Sequence, residues 1–458
     1  MDFKDAFCHQ GAHRLEQLLL SIGVGGTACP PEPGISKTVN PGSSRTSSPP
    51  GASGESSEVR EVSRLGNPEA GASDPASPGE AGAGEYTVVQ PGEAGAGSRA
   101  GESGGLAQEL IRGFGSRELM DRSRLVTRTL LDRVLSRRPD RAAEQIFHIC
   151  EGWAAPGQGF QGMEFWFMAF LDCIPELFRE DPGVGLEHLR ELTGYFSAEF
   201  AVRPLILADP AGAVERMTTW TGDSRASVRR LASEGLRPRL PWGIRLNPFI
   251  ENPSPLIALL RGLRCDPDEA VRRSVANNLN DISKDHPEFC LQVLDAWTRE
   301  FSPRGWQGLG DEDRRFIQHA GRTLVKKGHP GMLELMGFGV LRGVRVHAGA
   351  AEPNPVPWQG RVKVSWGLRV GDDAPEEQRV AADFVMHRMT ASGRWSAKVW
   401  KGQVLTLIRG QEIEVGKEFS FAPVTTRRYY PGTHQIELQL NGQVYPGPEF
   451  ELSAPGAE

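Results

Sequence analysis

Between Arg203 and Arg245 the sequence carries eight arginines (Arg203, Arg216, Arg225, Arg229, Arg230, Arg237, Arg239 and Arg245) against four acids, in a chain whose formal net charge is -6. Arg322, Lys326 and Lys327 form a second basic cluster. A basic face of this kind on a helical scaffold reads as a track for phosphates, and the ordinary alternative is a solvated helix face. The neighbours of these arginines bear on the choice. The segment ASEGLRPRLPWG (Ala232 to Gly243) places Glu234, Arg237, Arg239 and Trp242 close together, and Pro238 and Pro241 preclude a regular helix, so it reads as a stiff loop. A tryptophan on such a loop either caps the hydrophobic core or is offered to a planar or sugar ligand.

The elements that must position these residues are helical. DSRASVRRLASEGL (Asp223 to Leu236) aligns with DPDEAVRRSVANNL (Asp266 to Leu279) at an offset of 43 residues, and DEDRRFIQHAGRTL (Asp311 to Leu324) is a looser third copy. A period in this range belongs to HEAT or armadillo helix pairs, which bury their faces only by stacking on neighbours. Asp223, Asp266 and Asp311 stand where N-terminal helix caps belong. Apolar residues at helical spacing, such as Leu125, Leu130, Leu131 and Val134, extend this reading over residues 106–342. Residues 1–24 read as one further amphipathic helix of the same domain, with Phe3, Phe7, Leu15, Leu18 and Leu19 on a shared face.

Residues 25–105 are mostly Gly, Pro, Ser, Ala and Glu, with PGEAGAG occurring twice. Their few large apolar side chains cannot offset the entropy of ordering them, so a disordered insertion is expected. Residues 343–458 change period again. RVKVSWGLRV (Arg361 to Val370) and HQIELQLNG (His434 to Gly442) alternate apolar and polar residues between turn signals, and six or seven such strands fit an immunoglobulin-like β-sandwich. The fold expected is therefore an all-α HEAT-like repeat solenoid followed by an all-β immunoglobulin-like sandwich.

Composition narrows the function classes. The six cysteines form no C-x-x-C pair, and the ten histidines are scattered apart from His9 and His13, so neither a zinc site nor a disulfide framework is encoded by spacing. No metal or cofactor is expected. No run approaches the roughly 18 apolar residues of a membrane span, and the first residues are unlike a signal peptide, so a cytoplasmic location is expected.

VRRLASEGLRPRLPWG, preceded by SAEFAVRPLI (Ser197 to Ile206) and followed by VRRSVANNLNDISKDHP (Val271 to Pro287) and GRTLVKKGHP (Gly321 to Pro330), resembles the AlkC branch of the AlkC/AlkD DNA glycosylases. TTRRYYPGTH (Thr425 to His434) and the QLNGQ after it resemble the immunoglobulin-like domain of one AlkC subgroup. The resemblance covers the first helix and Leu106 to Leu452; the Gly/Pro/Ser-rich segment has no counterpart in it. It implies a monomeric enzyme acting on duplex DNA that removes cationic N-alkylated bases, chiefly 3-methyladenine and also 3-methylcytosine, without swinging the nucleotide into a deep pocket. A base methylated at N3 already carries positive charge and needs no general acid; the enzyme must favour the sugar's developing oxocarbenium charge and place a water. In the family's pattern the carboxylates fall on Glu199, Glu234 and Asp281, with Trp242 against the deoxyribose. Arg230, Arg237, Arg239, Arg322, Lys326 and Lys327 are the expected DNA contacts on the helical body, and Arg427 and Arg428, beside Tyr429 and Tyr430, those on the β domain.

Each residue also has an ordinary role to weigh. Glu199 is spaced to pair with Arg203 one turn on. Glu234 ends a helix, where a negative charge meets the unfavourable end of the dipole unless something offsets it. Asp281 follows Asn277, Asn278 and Asn280 and fits a polar helix end closed by Asx hydrogen bonds. Tyr429 and Tyr430 fit the packing common in sandwiches, with the arginines merely solvated. At the level of the whole chain the competing readings are a HEAT-like scaffold that binds protein or undamaged DNA and a lesion sensor that has lost catalysis. From the loss of periodicity after Val24, deletion of Gly25 to Gly105 is expected to leave the melting transition nearly unchanged; loss of cooperative unfolding would make the segment structural.

Overall fold

The computed structural model describes residues 6–23, 105–155, 162–390, 393–424 and 428–456, so the expected insertion lies outside the described residues except for Gly105. Where the sequence spaces apolar residues three and four apart, the chain forms helices: α1 (His9–Ser21), α2 (Leu106–Phe114), α3 (Leu119–Arg133), α4 (Pro139–Ala154), α5 (Trp166–Leu171) and α6 (Cys173–Leu177). The first helix begins at His9, later than the reading of residues 1–24 as one helix. Phe7 nevertheless precedes it as a fully buried side chain, packed with Leu15 and Leu19, while Phe3 lies outside the described residues. An aromatic cluster fixes this end: the Trp153 and Trp166 rings lie 5.2 Å apart, and the Trp166 indole N–H donates to the Ala6 carbonyl at 3.0 Å. The Ala107 amide donates to Glu16, so the chain re-enters the fold beside the helix it left.

The body continues through α7 (Pro182–Leu192), α8 (Val202–Ala208), α9 (Pro210–Thr219), α10 (Ala226–Glu234), α11 (Asn247–Glu251) and α12 (Ile257–Leu263). It closes with α13 (Glu269–Asp285), α14 (Pro287–Phe301), α15 (Asp311–Ala320), α16 (Arg322–Lys326) and α17 (Pro330–Leu335). The repeat at an offset of 43 residues is also a repeat of hydrogen bonds. Arg229 donates to the carbonyls of Asp223 and Ser224, and Arg272 donates to those of Asp266 and Pro267. Successive repeats are then tied acid to base: Arg190 to Asp223, Arg229 to Asp266, and Arg272 to Glu312.

This pattern corrects the capping assignments. The residue that caps α10 is Arg225, and the cap of α13 is Asp268, whose carboxylate accepts the amides of Ala270 and Val271. Asp223 and Asp266 stand two residues earlier, accept the amides of Arg225 and Asp268, and pair with Arg190 and Arg229 of the preceding repeat, Asp223 accepting from the Arg225 side chain as well. Asp311 is itself the first residue of α15, after the cap Gly310. An Asx turn plus a buried ion pair satisfies more polar capacity than a cap alone, which accounts for the shift.

The last part of the chain is antiparallel β-structure: β1 (Val344–Glu352), β2 (Arg361–Val370), β3 (Glu377–Met389), β4 (Trp395–Ile408), β5 (Glu412–Ser420), β6 (Gly432–Leu440), β7 (Gln443–Tyr445) and β8 (Glu449–Leu452). One sheet runs β1-β2-β5 and the other β4-β3-β6-β7, with β8 also on β6. Alternation along β2 sends Val362, Val364, Trp366, Leu368 and Val370 into the shared core with Phe384, Ile436, Leu438 and Phe450. Two short strands, β7 and β8, bring the number above the six or seven expected. The turn after β6 meets the helical body, where the Asn441 carboxamide donates to the Gly339 carbonyl at 2.8 Å.

The Asp266 carboxylate is 4 % exposed and is gripped by Arg229 at 2.6 and 3.0 Å. Burial opposes its charge, but the hydrogen bonds from Arg229 and from the Asp268 amide outweigh it and hold the carboxyl below its ordinary value. A depressed value in the folded state means stability that is present above the ordinary carboxylate range and lost as pH falls through the folded value. Asp266→Asn should therefore cost about 2–4 kcal/mol in urea unfolding at neutral pH. The difference from the parent should shrink in acid; a cost that does not change with pH would show that the charge contributes nothing.

Candidate active site

α10 stops at Glu234 because Pro238 and Pro241 follow, and residues 235–246 form a loop closed by backbone bonds from Leu246 to Pro238 and from Gly243 to Leu240. α13 packs against α10, and Asn278 fixes the contact by donating to the Ser233 carbonyl at 2.9 Å. This brings the three carboxylates expected from sequence into one chain of alternating charge. Glu199 accepts from Ser197 and from Arg230 at 2.7 and 2.8 Å. Arg230 also lies 3.8 Å from Glu234. Arg237 then bridges Glu234 at 2.7 Å and Asp281 at 2.8 Å, and Lys284 takes the other oxygen of Asp281 at 2.8 Å. Arg239 extends the series by a two-pronged pair with Asp285.

Burial decides what each group does here. Asp281 is fully enclosed one turn before the end of α13, and both its oxygens are engaged by Arg237 and Lys284 instead of closing an Asx turn. Glu234 is 5 % exposed. Its burial opposes ionisation, but Arg237 and Arg230 outweigh that effect and set its carboxyl below the ordinary value. The unfavourable helix end is thus compensated by guanidinium groups. Glu199 pairs with Arg230 instead of Arg203, because Arg203 points into the core and donates to backbone carbonyls. Arg237 is itself buried, with its charge favoured by Asp281 and Glu234 over the cost of burial, so in this state it serves the carboxylates and does not face solvent.

Trp242 caps no core. Its side chain is 71 % exposed, and its backbone has φ of 62°, the left-handed region that a bulky residue adopts only at a cost of about 1–3 kcal/mol. Of the remaining basic residues, Arg322 donates to the His319 carbonyl, and Lys326 and Lys327 are exposed at the end of α16. α16 is held to α13 by the Thr323 amide on Asn280. In the β domain Arg428 is exposed, Tyr429 is buried edge-on against Phe421, and Arg427 lies outside the described residues. Two residues absent from the sequence reading join this charged chain: Lys284 and Asp285, legible as a turn-spaced continuation of Asp281. Arg245, one of the arginines of the basic run, is exposed three residues past Trp242 with no ion-pair partner among the described residues. No group of three or more His, Cys, Asp or Glu able to hold a metal occurs among the described residues.

A helical-repeat body with an acid-lined, arginine-bridged edge, followed by an immunoglobulin-like sandwich, is a narrow class of protein. Residues 345–454 match the family model described as the C-terminal Ig-like domain of uncharacterised protein YhaZ. The chain is 32 % identical over 267 residues to the uncharacterized protein YhaZ of Bacillus subtilis (strain 168), covering 58 % of this chain and 71 % of that one. It is similar in structure, with a TM-score of 0.64 and 30 % identity, to the Pseudomonas fluorescens alkylpurine DNA glycosylase AlkC bound to DNA containing an abasic site analog. That match covers 76 % of this chain and 91 % of the other. The chain belongs to the AlkC-type family, in the subgroup that carries a C-terminal immunoglobulin-like domain.

The exposure of Trp242 makes a direct prediction. Trp242→Ala should change unfolding free energy by less than about 1 kcal/mol, against the roughly 3 to 5 kcal/mol that truncation of a buried tryptophan costs. A loss in the larger range, measured by chemical denaturation, would mean that the ring packs against the protein after all.

Proposed function

We propose that this chain is a DNA repair glycosylase that hydrolyses the N-glycosidic bond of cationic N-alkylated bases, 3-methyladenine and 3-methylcytosine, in duplex DNA. The observation that carries the reading is the set of three carboxylates, Glu199, Glu234 and Asp281, each paired with an arginine beside an exposed Trp242. A phosphate-binding scaffold gains nothing from acids at the centre of its basic edge. An enzyme that must favour positive charge on a sugar gains directly from them. Family membership supports the same reading, since the similar AlkC structure is that of an alkylpurine DNA glycosylase bound to DNA.

In the proposed reaction the C1′–N bond breaks with its electron pair going to the already cationic base, which leaves neutral. The deoxyribose retains the positive charge as an oxocarbenium ion, water adds at C1′, and the water's proton is given up. No proton need be supplied to the leaving base, so no general acid is required. Glu234 has the environment for the electrostatic part: largely enclosed, ionised, and at the end of the helix that leads into the Trp242 loop. Trp242 would lie against the deoxyribose. Arg230, Arg237, Arg239, Arg322, Lys326, Lys327, Arg427 and Arg428 are the proposed phosphate contacts. For Arg230, Arg237 and Arg239 this requires DNA phosphates to compete with the carboxylates that now hold them, which loosens the acids as the DNA seats. The proposal is of a monomer acting in the cytoplasm; no helix among the described residues is long and apolar enough to cross a membrane.

Glu234→Gln should abolish most base release from methylated duplex while binding is retained or tightened, because a repulsive charge near phosphate is removed. Asp281→Asn should act likewise, to a similar or smaller degree. Because the Glu234 carboxyl stays ionised below its ordinary range and no acid limb is needed, the parent rate should neither rise nor collapse between about pH 8 and pH 5. Parental rates in both variants, or a rate that climbs steadily with acidity, would remove the carboxylates from the chemistry.

A further inference from the structure

We infer that Arg203 is a positioning residue that sets the Trp242 loop, an inference that rests on the glycosylase reading for its activity test alone. Arg203 lies on α8 and is fully buried, yet no carboxylate forms an ion pair with it among the described residues. A cation in that position is costly unless something specific compensates it. What compensates it is backbone: Nη1 donates to the Gly235 carbonyl at 3.0 Å and Nε to the Ile244 carbonyl at 2.5 Å. Gly235 follows Glu234 and Ile244 lies two residues past Trp242, so one planar fork clamps both ends of the loop.

The arrangement is tight. A Cβ added at Gly243 would fall 3.1 Å from Leu240 Cδ2 and 3.2 Å from both Cδ and Nε of Arg203, so the glycine lets the loop backbone sit close against the guanidinium and Leu240. The third nitrogen, Nη2, has no hydrogen-bond partner among the described residues, so the guanidinium's hydrogen bonds there go to the two loop carbonyls. Burial, followed by the repulsion of Arg237, brings the guanidinium down to about 10, while Asp281, Glu199 and Glu234 favour its charge. The side chain is therefore charged at neutral pH, and its burial is offset by fixing the loop that holds Trp242 at φ of 62°. A lysine at this position keeps the charge but presents one nitrogen, which cannot span carbonyls at the two ends of the loop.

The test uses the full chain with Arg203→Lys in the parent and in Trp242→Ala. Single-turnover base release from N-methylated duplex should fall by about tenfold or more with Arg203→Lys in the parent, and by less than about twofold further in the Trp242→Ala background. Equal losses in both backgrounds, or a parental rate for Arg203→Lys, would overturn the inference. If Arg203→Lys does not unfold cooperatively, Gly243→Ala presses on the same clamp from the loop side and carries the same expectations. Amide hydrogen exchange supplies a readout independent of activity: residues 236–246 should exchange faster in the variant while α13 is unchanged, and unaltered exchange in the loop would contradict the clamp. A parent enzyme that released no base would defeat the glycosylase reading, and the exchange measurement would still decide the role of Arg203.

Discussion

Arg237 holds the candidate site together by bridging Glu234 on α10 and Asp281 on α13 within an interface from which water is largely excluded. Without that guanidinium two carboxylates would face each other in a poorly solvated space, which is costly for charges of one sign. With it, the Glu234 carboxyl is held below its ordinary value, Arg230 adds to that effect, and Lys284 pairs with the far oxygen of Asp281. The cost of burying so many charges is offset only if every partner is in place, so the separation of the two helices and the placement of the Arg237 guanidinium are one constraint. Asn278 on the Ser233 carbonyl enforces that separation without charge.

The scaffold uses the same chemistry for a different end. Arg190 on Asp223 and Arg229 on Asp266 tie repeat to repeat, away from the acids proposed for catalysis. The site arises where the repeat breaks. α13 runs for 17 residues, whereas the equivalent α10 runs for 9 and is cut by Pro238. The turns of helix that α10 lacks are replaced by the loop that carries Arg237, Arg239 and Trp242. Forty-three residues after Glu234 the next repeat has Asn277, so the acid belongs to the break and not to the repeat.

Much of this was legible in the sequence, for identifiable reasons. The helical period, the offset of 43 residues and the alternation along β2 are local patterns, and each became the element it indicates. The family resemblance gathered Glu199, Glu234, Asp281 and Trp242, and the structure brings the three acids into one charged chain. What sequence could not supply was partnership. Arg203 and Arg237 read like their neighbours as part of a basic track, and only tertiary packing shows that one clamps carbonyls and the other bridges acids. Asp223 and Asp266 were misread as caps because an Asx turn two residues upstream has the same residue signature as a cap. The exposure of Trp242 was equally undecidable, since a left-handed backbone at a tryptophan leaves no trace in composition.

The measurement that bears most directly on the account is incubation of the full-length parent protein with duplex DNA bearing N-methylated bases, followed by chromatography of the free bases. The account predicts release of free 3-methyladenine, with the DNA left abasic and its phosphate backbone uncut by the protein. Tight binding of that DNA with no base released would contradict it and make the chain a scaffold or lesion sensor whose carboxylates serve only to hold arginines.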